Sequence, residues 1–166
     1  MLDKLRNWDG KSSEDIALIY AQHHRDVGFV ECVFNWPEDE HLQKGLSYLL
    51  KRHCDQGETV EAKRVAELLP HLQTKLHWEI ALHILQSIGS LEIALEQREA
   101  WERFIRLCLT DENKFVRAWS YYAFVVLSQG FPEYKEGVRQ LIDMALRDEA
   151  PSVKARIRQM KKQGLC

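Results

Sequence analysis

The 18 residues that start at Trp101, WERFIRLCLTDENKFVRA, return 37 positions later as VRQLIDMALRDEAPSVKA from Val138, and no other feature limits the fold as tightly. Leu109/Leu146, Asp111/Asp148, Glu112/Glu149, Val116/Val153 and Ala118/Ala155 are the same residue in both copies. Ile105/Ile142 is identical as well, and Phe104/Leu141, Leu107/Met144 and Arg117/Lys154 keep the same character. Apolar positions, turn and second-helix start all coincide, so each copy reads as helix, acidic turn, helix. A period of this length suits a two-helix unit that cannot bury its apolar face alone and must stack on a neighbour. The second helix is strongly apolar in the first copy and charged in the second. A central helix must be covered on several sides, whereas a terminal one needs a single apolar side.

The rest of the chain carries helical punctuation. Ser12 or Ser13 can cap a helix with Ile16, Ile19, Tyr20, His23 and Val27 on one face. A second helix is expected near Pro37, with Glu38, Asp39 and Glu40 in its first turn, Leu42, Leu46, Leu49 and Leu50 as its stripe, and Lys51, Arg52 and His53 at its end, which suits the helix dipole. Between them GFVECVFNW is read as a short helix, because nothing else offers a strand to pair with it. A helix from about Glu58 carries Val65, Leu68, Leu69 and Leu72 and is disrupted by Pro70. LHWEIALHILQSIG follows, with Gly89 as its C-terminal cap. A long helix is expected from Ser90 to about Thr110, then one capped by Asn113 and ended by Gly130, and two more opened by Pro132 and Pro151. The expected core includes Trp78, Leu82, Leu85, Trp101, Ile105, Val116, Trp119 and Leu141.

The Asp-containing turn followed by Val-Arg-Ala or Val-Lys-Ala, at this spacing, resembles the HEAT and armadillo-like helical repeats. The resemblance covers residues 91–163 best, is weaker over 58–88, and is weakest before residue 55. It implies an all-α solenoid of about four antiparallel helix pairs in one domain spanning 1–166. Residues 1–54 would form a degenerate cap, and 58–89, 91–129 and 132–163 the helix-pair repeats. It also implies that second helices line a concave surface, on which Glu79, His83 and Gln86, then Arg117 and Tyr121, then Lys154 and Arg158 would lie.

Chemistry within that frame is sparse. Net charge is −2, yet residues 1–100 hold 11 Lys/Arg against 17 Asp/Glu (net −6) and residues 101–166 hold 12 against 8 (net +4). Such a gradient can orient an acidic partner toward the C-terminal end. Arg117 can either bond the acidic turn residues Asp111 or Asp148 or point into the groove. Lys154, Arg156, Arg158, Lys161 and Lys162 form the densest basic tract, read first as a solvated face. The tryptophans, Tyr121 and Tyr122 can be core or stacking platforms, with each phenol needing water or a partner. His77 and His83 are six apart, about 120° off a common direction on a helix, and no Cys pair or HExxH spacing supports a metal site. Cys32, Cys54, Cys108 and Cys166 are isolated and read as reduced thiols, Cys108 in the core. No phosphate loop or nucleophile motif is present, and no apolar run approaches the roughly 20 residues of a membrane span.

The expected protein is therefore a cytoplasmic interaction module that binds an acidic protein or peptide, without membrane partner, metal, cofactor or assigned catalytic residue. The alternative is nucleic-acid binding of the kind found in HEAT-like DNA alkylation-repair glycosylases, with a hydrolase or lyase lacking a recognisable motif as a third reading.

Overall fold

A computed structural model describes all 166 residues and contains ten α-helices and no β-strand. They are α1 (Leu2–Asn7), α2 (Ser13–His23), α3 (Phe29–Phe34), α4 (Glu40–Asp55), α5 (Ala62–Val65), α6 (Trp78–Ser87), α7 (Arg98–Leu109), α8 (Lys114–Gly130), α9 (Lys135–Asp148) and α10 (Pro151–Lys162). The side chains of Ser12, Asp39 and Asn113 cap α2, α4 and α8 by accepting from backbone N–H groups that a helix start leaves unpaired. GFVECVFNW does supply the short helix α3.

Several expected boundaries move, each for a local reason. Asp39, not Pro37, opens α4, because its carboxylate can accept from Leu42 N–H. Val27 does not extend the α2 face: α2 stops at His23, the chain turns through Gly28 at φ 83°, and Val27 is left exposed. The helix expected from Glu58 shrinks to α5 plus 3-10 turns at Ala66–Leu68 and His71–Gln73, which still bury Val65, Leu68 and Leu72. The long helix expected from Ser90 begins only at Arg98. Residues before it are drawn out by a parallel bridge between Val60 and Leu91, in which Val60 N–H donates to Ser90 O and Glu92 N–H donates to Val60 O, both at 2.9 Å. Buried Gln97 fixes the segment by donating through Nε2 to Ala62 O (2.8 Å) and accepting at Oε1 from Ala94 N–H (3.2 Å).

α6 lies between α4 and α8, and α8 in turn packs on α7, α9 and α10. α4, α6, α8 and α10 thus touch in series. α4 and α6 run in the same direction, since Lys44 meets Glu79, Ser47 meets His83 and Cys54 lies beside Ser87, with both residue numbers rising together. α1 rides directly on α4 at Gly45, where an added Cβ would come within 2.8 Å of Leu5 Cδ2. One continuous core runs from Leu5 to Met160.

The expected core needs correction. Leu85, Trp101, Ile105 and Val116 are buried, as is Cys108, but Trp78 is 39% exposed, and Leu82, Trp119 and Leu141 are only partly buried. Trp78 is the first residue of α6 and lacks a preceding turn to cover it. No helix is long and apolar enough to cross a membrane.

Candidate functional site

The seven residues placed on the expected groove fall into three settings. Glu79, His83 and Gln86 lie on α6, where Glu79 pairs with Lys44 of α4 and also approaches His77 Nδ1 at 3.7 Å. His83 Nδ1 shares a hydrogen bond with Ser47 Oγ (2.9 Å), and its ring meets Tyr48 edge-on at 5.4 Å. Burial lowers the His83 pKa to about 4, with the Lys51 and Lys44 ammonium groups acting in the same direction. His77 is committed elsewhere, accepting from Glu79 N–H as the cap of α6.

Arg117 and Tyr121 face the turn between α9 and α10. Arg117 Nε and Nη2 donate to the Glu149 carboxylate (3.0 and 3.2 Å), while Nη1 donates to the carbonyls of Asp111 (2.8 Å) and Glu112 (3.1 Å). The carboxylate that receives Arg117 is therefore Glu149, neither Asp111 nor Asp148, and the contact joins α8 to the turn between α9 and α10. Tyr121 is buried beside it. Burial first, and then the Glu149 charge, push its phenol up to about 12. On α10, Lys154 Nζ donates to Arg147 O (2.6 Å) and Arg158 is exposed.

A different stripe joins the helices. Trp78 and Leu82 are one turn apart on α6, Phe115 and Trp119 one turn apart on α8, and Tyr122 follows on the same side. The α6 stripe continues into Gly89, whose backbone is so close to Tyr122 that an added Cβ would stand 2.9 Å from the phenol oxygen. Gly89, expected as the C-terminal cap, lies in the 3-10 turn Ile88–Ser90 that follows α6, without a positive φ, and allows a close approach to Tyr122. Trp119 and Tyr122 meet edge to face at 5.2 Å, and the Arg156 guanidinium of α10 lies 3.6 Å from the Trp119 ring centroid. At about 100° per residue, Trp119 lies nearly opposite Arg117 and Tyr121 on α8, and Arg156 lies nearly opposite Lys154 and Arg158 on α10.

This second stripe is present in the sequence at the repeat's own offset. Adding 37 takes Trp78 to Phe115 and Leu82 to Trp119, then Trp119 to Arg156. The large side chains conceal it, because aromatic and leucine residues at helical spacing are ordinarily core. In the structure Phe115 is 53% exposed and Trp78 39%, while Leu82 and Trp119 are partly buried against the core, so the stripe presents two aromatic side chains to water.

Elsewhere, Tyr20 Oη stands 3.3 Å from His53 Nδ1 and stacks on His24, a buried polar contact between α2 and α4. A cleft of about 510 Å³ opens among α8, α9 and the C-terminal residues, lined by Val125, Ile142, Lys135, Arg139, Lys161 and Cys166 among others. No three His, Cys, Asp or Glu side chains are grouped to hold a metal ion. No known protein family matches the chain, and neither a curated protein nor a solved structure matches it.

Proposed function

We propose that the protein is a binding module, a short HEAT-like stack of helix pairs in which α6, α8 and α10 form one docking face for a protein or peptide. The observation that carries this reading is the pair of exposed aromatics Trp78 and Phe115 on adjacent helices, each followed one turn on by a partly buried residue, Leu82 and Trp119, with Arg156 lying on Trp119. Large apolar side chains held half in water lose free energy only when something covers them, and aromatic and arginine side chains are the usual anchors of protein interfaces. The repeat offset that generates the stripe also favours a stack, because equivalent positions then recur along one side.

The nucleic-acid reading has less support. Of the basic tract, Arg156 lies on Trp119, Lys154 on the Arg147 carbonyl, and Lys161 is 3.7 Å from Asp143. Only Arg158 and Lys162 of that tract then face water without an internal partner.

The test compares the wild type with a Trp78→Ala/Phe115→Ala variant in affinity capture from cell extract, with and without nuclease. Proteins retained by the wild type after nuclease and released by the variant are expected. Capture that the variant leaves unchanged, or that nuclease abolishes, removes this docking face from the reading.

A further inference from the structure

Four arginines are neither exposed nor fully buried: Arg64, Arg98, Arg117 and Arg156. Three are neutralised by carboxylates of the chain, Arg64 by Glu67 and Glu31, Arg98 by Glu133 and Glu99, and Arg117 by Glu149. Arg156 has none. Its Nε is buried without an acceptor, and its Nη1 reaches only the amide oxygen of Gln159 at 3.3 Å, one turn along its own helix. The guanidinium is instead held over Trp119 and 5.5 Å from the Tyr122 ring centroid. Burial lowers its pKa, and the only ionisable group that acts on it in the opposite sense is Tyr122.

This is an expensive way to hold a charge. A partly desolvated cation over an aromatic face gains about 0.5–2 kcal/mol, whereas a planar guanidinium is shaped to give two parallel hydrogen bonds to a carboxylate. The aromatic platform fixes the plane of the group and so removes much of the side-chain entropy that binding would otherwise cost. Arg156 also lies at the end of the apolar stripe, in the half of the chain with net charge +4.

Resting on the docking face described above, we infer that Arg156, seated on Trp119, is a receptor for the carboxylate of an Asp or Glu side chain in a partner peptide whose neighbouring apolar residues lie on Phe115 and Trp78. Two ligand elements, one acidic and one apolar, would then be read together.

The experiment has two arms on the full chain. In the first, ¹⁵N-labelled protein is titrated with sodium acetate and, separately, inorganic phosphate while the Arg156 Nε–H and Trp119 indole signals are followed. Saturable shifts with acetate at Arg156 and Trp119, absent at Arg158, are expected. Shifts that do not saturate overturn the inference, and phosphate saturating at least tenfold below acetate replaces the peptide carboxylate by a phosphate.

In the second arm, random 12-residue peptides displayed on phage are selected on the wild type. Enrichment of Asp or Glu beside Leu, Phe or Trp is expected, and a selected peptide should bind Arg156→Gln at least tenfold more weakly. Arg156→Lys, which keeps the charge and the stem but loses the fork, should recover only part of that loss, and thermal melting of both variants confirms their fold. Peptides that shift Trp78 and Phe115 but lack acidic enrichment, or that bind Arg156→Gln within twofold, overturn the inference and leave the docking face standing. Acetate saturating at Arg156 with no peptide selected overturns the docking face and, with it, the peptide source of the carboxylate.

Discussion

His83 sits where a positive charge is hardest to hold, inside the α4–α6 contact with two lysines nearby and only Asp55 acting to favour protonation. In the unfolded chain its imidazole takes a proton near the ordinary value of 6.5, whereas in the folded protein it does so only near 4. The native state binds fewer protons between these values, so stability is intact above pH 6.5 and falls as pH drops toward 4. The size of that loss follows from the shift and reaches roughly 3 kcal/mol at most. His53 and His71 are depressed by burial as well and act in the same sense. Chemical denaturation of the wild type at pH 7 and pH 4.5 should show a lower midpoint at pH 4.5, and His83→Gln should remove part of the difference. An unchanged gap in His83→Gln would mean that the α4–α6 contact does not resist protonation there.

At the scale of single elements, the sequence is most readable where a helix carries its own signals. Asn113, the apolar run of α8 and Gly130 are local, and the helix follows them. The Ser90–Gln97 segment is unreadable for the opposite reason. Its departure from a regular helix, extended over residues 91–94 and then a 3-10 turn at Leu95–Gln97, depends on Val60 and Ala62, about 30 residues away, and a Gln that closes such a contact looks like any surface Gln. The candidate site divides in the same way. Glu149 is the Glu112 equivalent in the repeat, so an acidic partner for Arg117 is visible, but which turn supplies it is not. Trp78 misleads because helical spacing does not say whether a neighbour covers the stripe, whereas Trp119 does pack against the core. Burial separates the tryptophans of α6 and α7. Trp101→Ala removes a side chain with no exposure and should cost about 3–5 kcal/mol, whereas Trp78→Ala at 39% exposure should cost clearly less. Differential scanning calorimetry of the two variants checks this, and similar melting temperatures would mean that Trp78 is structural after all.

Across the whole molecule, charge and shape have different tasks. The acidic first 100 residues and the basic remainder create a field that acts over about 8–10 Å at ordinary ionic strength, enough to orient a ligand before contact. Lys154 and Arg158 contribute to that field from the side of α10 away from Arg156, so they should steer an acidic peptide without touching it. Steering appears in the association rate, while direct interactions within the complex act mainly on the dissociation rate. Lys154→Glu with Arg158→Glu should slow association of a selected acidic peptide severalfold at low salt, flatten its salt dependence and leave dissociation nearly unchanged. Folding should be little affected, because Lys154 offers one exposed hydrogen bond and Arg158 none, and such surface interactions contribute about 0–1 kcal/mol. Arg156→Gln should give the complementary result, with faster dissociation and an association rate reduced far less. Stopped-flow measurements at several salt concentrations distinguish the two. If the Lys154 and Arg158 substitutions instead speed dissociation, those side chains touch the ligand, and the docking face lies on the Arg117 and Tyr121 side of the helices.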